Sequence, residues 1–165
     1  MKKNLTAIAL LGALSLNAYA GENFIQLGAS NLDFGGESAT GFNLGIGTDN
    51  YKENGLYYGA VFNVDSGKVN NEKVIGFGMD IKLGYTFMKD WTGYGLVGWN
   101  LQGIYDTPSD EFNNYRGFGG GLGLQYKISE SFAVNVESRT YNLKFEDVGE
   151  DLKYKTTSIN LKWIY

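Results

Sequence analysis

From Gly21 onward, apolar residues recur at every second position, run after run, which is the period of a pleated strand with two chemically different faces. The clearest run sets Ile75, Phe77, Met79, Ile81, Leu83, Tyr85 and Phe87 against Gly76, Gly78, Asp80, Lys82, Gly84 and Thr86. Such a length is unusual for a globular strand but suits a tilted crossing of a bilayer. Seven more runs follow the same rule. Their apolar sides are Ile25, Leu27 and Ala29; Phe42, Leu44 and Ile46; Leu56, Tyr58, Ala60, Phe62 and Val64; Val97, Trp99 and Leu101; Phe118, Leu122, Leu124, Tyr126 and Ile128; Phe132, Val134 and Val136; and Ile159, Leu161, Trp163 and Tyr165. The fifth run is mixed, because Tyr94 and Leu96 share the parity of Gly98, Asn100 and Gln102.

The connections alternate in length. Asp49 to Gly55, Met88 to Trp91 and Ser129 to Ser131 read as short turns, whereas Asn31 to Thr40, Asp65 to Lys73, Gly103 to Tyr115 and Asn142 to Lys153 read as longer polar loops. The predicted fold is all-β: a closed, antiparallel, up-and-down transmembrane barrel of about eight strands, with short turns on one side of a membrane and long loops on the other.

Composition agrees with this class. Glycine (24), tyrosine (12) and phenylalanine (10) against one proline make poor helices. Aromatic residues at 15% argue against disorder. No apolar window after residue 20 is long enough for a spanning helix, so a membrane-embedded chain would have to close into a barrel to satisfy its backbone. Residues 1–20 read as a cleaved signal peptide, with Lys2 and Lys3, an apolar run from Leu5 to Leu16 and the small-residue pattern Ala18-Tyr19-Ala20. Cleavage there leaves 145 of the 165 residues, 21–165, as one barrel domain, with twelve basic and eighteen acidic residues and a net charge of −6. That acidic balance argues against a nucleic-acid partner.

Alternation alone leaves open whether the apolar face lines the interior or meets lipid, and the opposite face decides it. Glycines and a few opposed charges suit a packed lumen, because the interior of an eight-stranded barrel is just wide enough to be filled by side chains. Aromatic residues also gather at the strand ends. Phe87, Trp91, Tyr126, Phe132, Trp163 and Tyr165 are expected in one interfacial girdle, and Trp99, Tyr115, Phe118 and Tyr154 near the other. Parity places Asp80, Lys82, Glu137, Arg139 and Lys162 on the inner face. Counting residues up from the strand ends puts Lys82 near the depth of Glu137 and Asp80 near that of Arg139, with Lys162 close to the same layer, so an ion-pair network filling the lumen is expected.

These features resemble the small outer-membrane β-barrels of the OmpA and OmpX type. The ending Ile159-Asn160-Leu161-Lys162-Trp163-Ile164-Tyr165 is similar to the family's C-terminal signal for the outer-membrane insertion machinery, with Ile159, Leu161, Trp163 and Tyr165 as its alternating positions. The run from Arg116 to Ile128 resembles the family's third-last strand and the turn after it. The resemblance implies a multi-pass protein of the bacterial outer membrane, in contact with its lipid and lipopolysaccharide. It covers the barrel alone, without the peptidoglycan-binding domain that follows the barrel in full-length OmpA.

The chain has no cysteine, hence no disulfide, thiolate metal site or lipid-acceptor thiol, and no histidine. The outer-membrane hydrolases and acyltransferases that it could resemble depend on an active-site histidine, so a non-enzymatic protein without cofactor or metal is expected. Adjacent Asp110 and Glu111, and the acidic segment Glu146 to Asp151, read as solvated loop charges rather than an acid–base pair or a calcium loop. A structural or narrowly porin-like barrel with a largely plugged lumen is the first functional reading. The alternatives are a surface adhesin, with Phe34, Tyr105, Phe112, Tyr115 and Phe145 as loop contact groups for a partner the sequence does not identify, and a soluble secreted barrel holding a small ligand.

Overall fold

A computed structural model describes residues 21–69, 72–106, 111–145 and 151–165. The segment 1–20, Asp110, the stretch 146–150, and the side chains of Glu111, Phe112, Phe145 and Asp151 lie outside the described residues. Eight strands run up and down: β1 (Glu22–Phe34), β2 (Glu37–Tyr51), β3 (Leu56–Val69), β4 (Glu72–Met88), β5 (Trp91–Asp106), β6 (Glu111–Lys127), β7 (Phe132–Phe145) and β8 (Asp151–Ile164). Each pairs antiparallel with its sequence neighbours, and β1 pairs with β8 from Phe24↔Ile164 to Phe34↔Tyr154, closing the barrel. Closure removes both sheet edges, which the backbone requires inside lipid.

The apolar parity points outward. Leu83 is 62% exposed, Leu122 73% and Phe118 74%, while the alternating Asp80, Lys82, Glu137 and Lys162 are fully buried inside. A water-soluble barrel would hold the reverse arrangement, so the secreted ligand-binding alternative is set aside. Phe87, Trp91, Tyr126, Phe132, Trp163 and Tyr165 form an exposed aromatic band around the end that carries both described termini. Phe87 sits on a bulge, between the register pairs Thr86↔Thr92 and Met88↔Trp91.

The segments expected to be long loops are largely strand. β1 and β2 are joined through Gly35 and Gly36 alone, with φ of 65° and 108°. Two consecutive positive φ values make the two-residue turn whose twist matches the flanking strands. The Gly36 N–H donates to Asp33 Oδ1 at 2.9 Å and further fixes this turn. β4 and β6 reach 17 residues, whereas a tilted crossing needs only about 9–11, so the strands at this far end extend past the lipid-facing belt.

Above that belt the faces exchange character. On β7 the outward residues change from Phe132, Val134 and Val136 to Ser138, Thr140, Asn142 and Lys144, while the inward ones become Tyr141 and Leu143. β1 does the same with Asn31 and Asp33 outside and Leu32 and Phe34 inside, and β8 with Lys153 and Lys155 outside and Tyr154 inside. Leu32, Phe34, Val74, Tyr141, Leu143 and Tyr154 form one buried cluster at this end of the lumen. The physical reason is a change of solvent along a single strand: hydrocarbon surrounds the lower part and water the upper.

Three aromatic assignments change accordingly. Tyr154 is fully buried and stacks on Phe34 at 4.6 Å, so it is a lumen residue and not part of a girdle, and Phe34 is not an exposed loop contact. Tyr115 is partly buried and packs against the same cluster, inside the barrel. Trp99 and Phe118 do face outward near the top of the belt.

Candidate functional site: the charged lumen

The lower lumen is filled by polar side chains from all eight strands, and seven of them are charged residues: Asp49, Asp65, Asp80, Lys82, Glu137, Arg139 and Lys162. Each is at most 2% exposed. Lys82 of β4 meets Glu137 of β7 across the interior, Nζ to Oε1 at 2.6 Å. Tyr94 donates its hydroxyl to the same Oε1 at 2.6 Å, and the Arg139 guanidinium bonds the other oxygen, Oε2. Arg139 also lies 3.3 Å from Asp80, Nε to Oδ2. Asp80 accepts further bonds from the Tyr141 hydroxyl at 2.6 Å and the Asn63 amide at 2.9 Å.

Lys162 belongs to a second group. It pairs with Asp49 and donates to Gln125 Oε1 at 2.6 Å, while Tyr57 donates to the other Asp49 oxygen at 2.7 Å. Its ammonium sits 3.7 Å from the centroid of the Phe24 ring, and Lys82 approaches the same ring at 5.8 Å. Phe24 thus stands between two cations and stabilises both through its electron-rich face. A chain of amides joins the layers: Gln26 donates to both Asn63 and Asn43 at 3.0 Å, and Asn43 donates to Asp65 at 2.9 Å.

Of the five lumen residues picked from sequence, four converge in one cluster as Lys82–Glu137 and Asp80–Arg139, and the fifth, Lys162, is bonded elsewhere. Asp49, Asp65, Tyr94 and Tyr141 were missed as members. Asp49 and Asp65 look like the first residues of connections, yet each continues the inward parity of Gly47 and Asn63. Following parity past the last apolar residue would have found both.

Small residues make room for this filling. A β-carbon on Gly98 would lie 2.1 Å from Asp80 Oδ1 and 2.4 Å from the Met79 carbonyl, and one on Gly123 would lie 2.3 Å from the Tyr94 ring. At the mouth bearing the termini, Lys127 of β6 reaches Glu22 of β1 at 2.6 Å. The C-terminal residues Ile159, Leu161, Trp163 and Tyr165 all face outward on β8 or just after it.

The family model for the outer membrane protein β-barrel domain matches residues 6–164. The chain belongs to that family. It is an outer-membrane barrel, a class in which the longer connections face out of the cell and the short turns the periplasm. A sequence search of curated proteins finds no match. Among solved structures the barrel is similar to Neisserial surface protein A (TM-score 0.65, 14% identity, covering 87% of this chain and 97% of that one). It is also similar to Ail, the attachment invasion locus protein of Yersinia pestis (0.63, 15%, covering 89% and 100%), and to the N-terminal barrel of Pseudomonas aeruginosa OprF (0.55, 14%, covering 88% and 99%). At these identities the likeness is one of fold.

Proposed function

We propose that this outer-membrane barrel is a non-enzymatic structural protein whose lumen is closed by its own charge network, with conductance that is narrow or nil. The supporting observation is the four-residue cluster of Asp80, Lys82, Glu137 and Arg139, which bridges β4 and β7 across the lumen with negligible solvent exposure. An open pore would leave such charges hydrated. Buried ion pairs are tolerated only when every partner is present, so the cluster acts as a fixed plug. The sequence holds no histidine, and the lumen carboxylates are engaged by neighbouring donors, which supports a role without catalysis. Surface recognition through loop aromatics has less support, because Phe34 and Tyr115 pack inside. On this reading residues 1–20 direct export, and Ile159, Leu161, Trp163 and Tyr165 present the closing strand to the insertion machinery.

Planar-bilayer recording tests the plug. The native barrel should show little or no conductance, and Glu137→Ala and Arg139→Ala should raise it. A native protein that conducts steadily, with no change in either variant, would refute a closed lumen.

A further inference from the structure

The outer wall carries a groove of about 760 Å³ across β2 to β5, at the level where the lipid-facing belt ends. Its lower edge is apolar and outward-facing: Phe42 is 54% exposed and Ile75 39%. Between them the wall is recessed, because Ser66, in register with both, is small. Its upper edge is a row of three residues on adjacent strands, Lys68↔Lys73↔Tyr105. Both lysines are exposed and face outward. Among the described residues neither makes an ion pair and no carboxylate lines the groove.

Two lysines directly opposed on paired strands repel one another and weaken the ladder, so they are a poor choice for folding alone. An anion held between them removes that repulsion. The other outward cations beyond the belt differ: Lys155 is in register with Asp33 and Lys153 with the neutral Asn142, while Arg116 and Lys144, which also oppose one another, have interactions of their own. The ligand must also be amphiphilic, because the apolar edge faces the acyl region while the ammonium groups stand at headgroup height. This end of the barrel lies in the outer leaflet, whose anionic amphiphile is a phosphorylated glycolipid.

We propose that Lys68 and Lys73 bind the phosphate of a lipid A headgroup, with its acyl chains against Phe42 and Ile75 and its sugar beside Tyr105. Lysine suits this task as a compact point charge. The proposal depends on the outer-membrane location and is independent of whether the lumen conducts.

The full barrel would be reconstituted in phosphatidylcholine vesicles doped with bisphosphorylated lipid A, the same lipid dephosphorylated, or phosphatidylglycerol, then washed in detergent. Lipid retained per barrel would be read by mass spectrometry. Native protein should retain bisphosphorylated lipid A roughly tenfold better than the other two lipids, and Lys68→Gln/Lys73→Gln should lose that preference, on the scale expected for two interfacial lysines. Lys153→Gln/Lys155→Gln, on the far side of the barrel, should behave as the native protein. Heat-modifiable gel migration reports that each variant is folded. Equal retention of the dephosphorylated lipid or of phosphatidylglycerol by the native barrel would overturn the proposal, and that comparison needs no variant. So would an unchanged double variant, or an equal loss in the control pair.

Discussion

Lys82 and Tyr94, on neighbouring strands, meet on a single oxygen of Glu137, each at 2.6 Å. One cation and one neutral donor therefore share an acceptor that comes from the opposite wall. Removing either partner leaves the carboxylate in place inside the barrel.

Lys82→Ala and Glu137→Ala should each destabilise the barrel by about 3–5 kcal/mol, since each strands a buried charge. The double variant should cost clearly less than the sum, because the second substitution removes the charge that the first left unpaired. Urea unfolding in lipid vesicles measures all three. Additive costs would show that the two residues do not act as a pair.

Gly98→Ala and Gly95→Ala separate backbone propensity from space. A β-carbon at Gly95 meets nothing nearer than 3.9 Å, whereas at Gly98 it is placed 2.1 Å from Asp80 Oδ1. Gly98→Ala should lose about 1–3 kcal/mol by overpacking, and Gly95→Ala should be neutral or slightly stabilising. Equal unfolding midpoints would mean that the lumen is looser than described.

The exchange of faces on β7 predicts where lipid ends. Val136→Lys places a charge against hydrocarbon and should cost up to about 2–4 kcal/mol, whereas Thr140→Lys, on the same face four residues higher, should cost about 0–1 kcal/mol. Unfolding in bilayers of defined thickness gives both numbers. If Thr140→Lys proved the more costly, the boundary would lie elsewhere.

Tyr165→Asp should block assembly. The Tyr165 N–H bonds to the Asn23 carbonyl at 2.9 Å, beside the closing pair Phe24↔Ile164, and its ring lies 5.8 Å from that of Trp163 in the lipid-facing band. The expected result is loss of the heat-modifiable form and accumulation in the periplasm. Normal amounts of folded protein at the cell surface would rule out the assembly role.

Most of the membrane-embedded barrel is legible in the sequence because one rule, apolar outside, holds from Ile75 to Phe87 without exception. The upper barrel was not, although its pattern is equally regular. Asn142 and Lys144 look like a loop only when apolar residues are assumed to face outward; with the rule inverted they continue Ser138 and Thr140 and alternate cleanly with Tyr141 and Leu143. The lumen was half legible. Parity located Asp80, Lys82, Glu137 and Arg139, and the depth count matched their partners, because these strands are regular from their lower ends. Lys162 was placed near the same layer without a partner, since Asp49, to which it bonds, hid at the start of what read as a turn. Tyr94 and Tyr141 carry no charge, and only the three-dimensional position of their hydroxyls marks them as members.

The β1–β8 seam has a consequence for biogenesis. Its register joins Phe24 to Ile164, so the strand made first finds one of its two neighbours only when the strand made last is available. A partly emerged chain can zip its hairpins but always keeps two raw edges. Until the C-terminal strand arrives the polypeptide depends on something else to occupy those edges, and the hazard of sticking to other chains lasts as long as synthesis and export themselves.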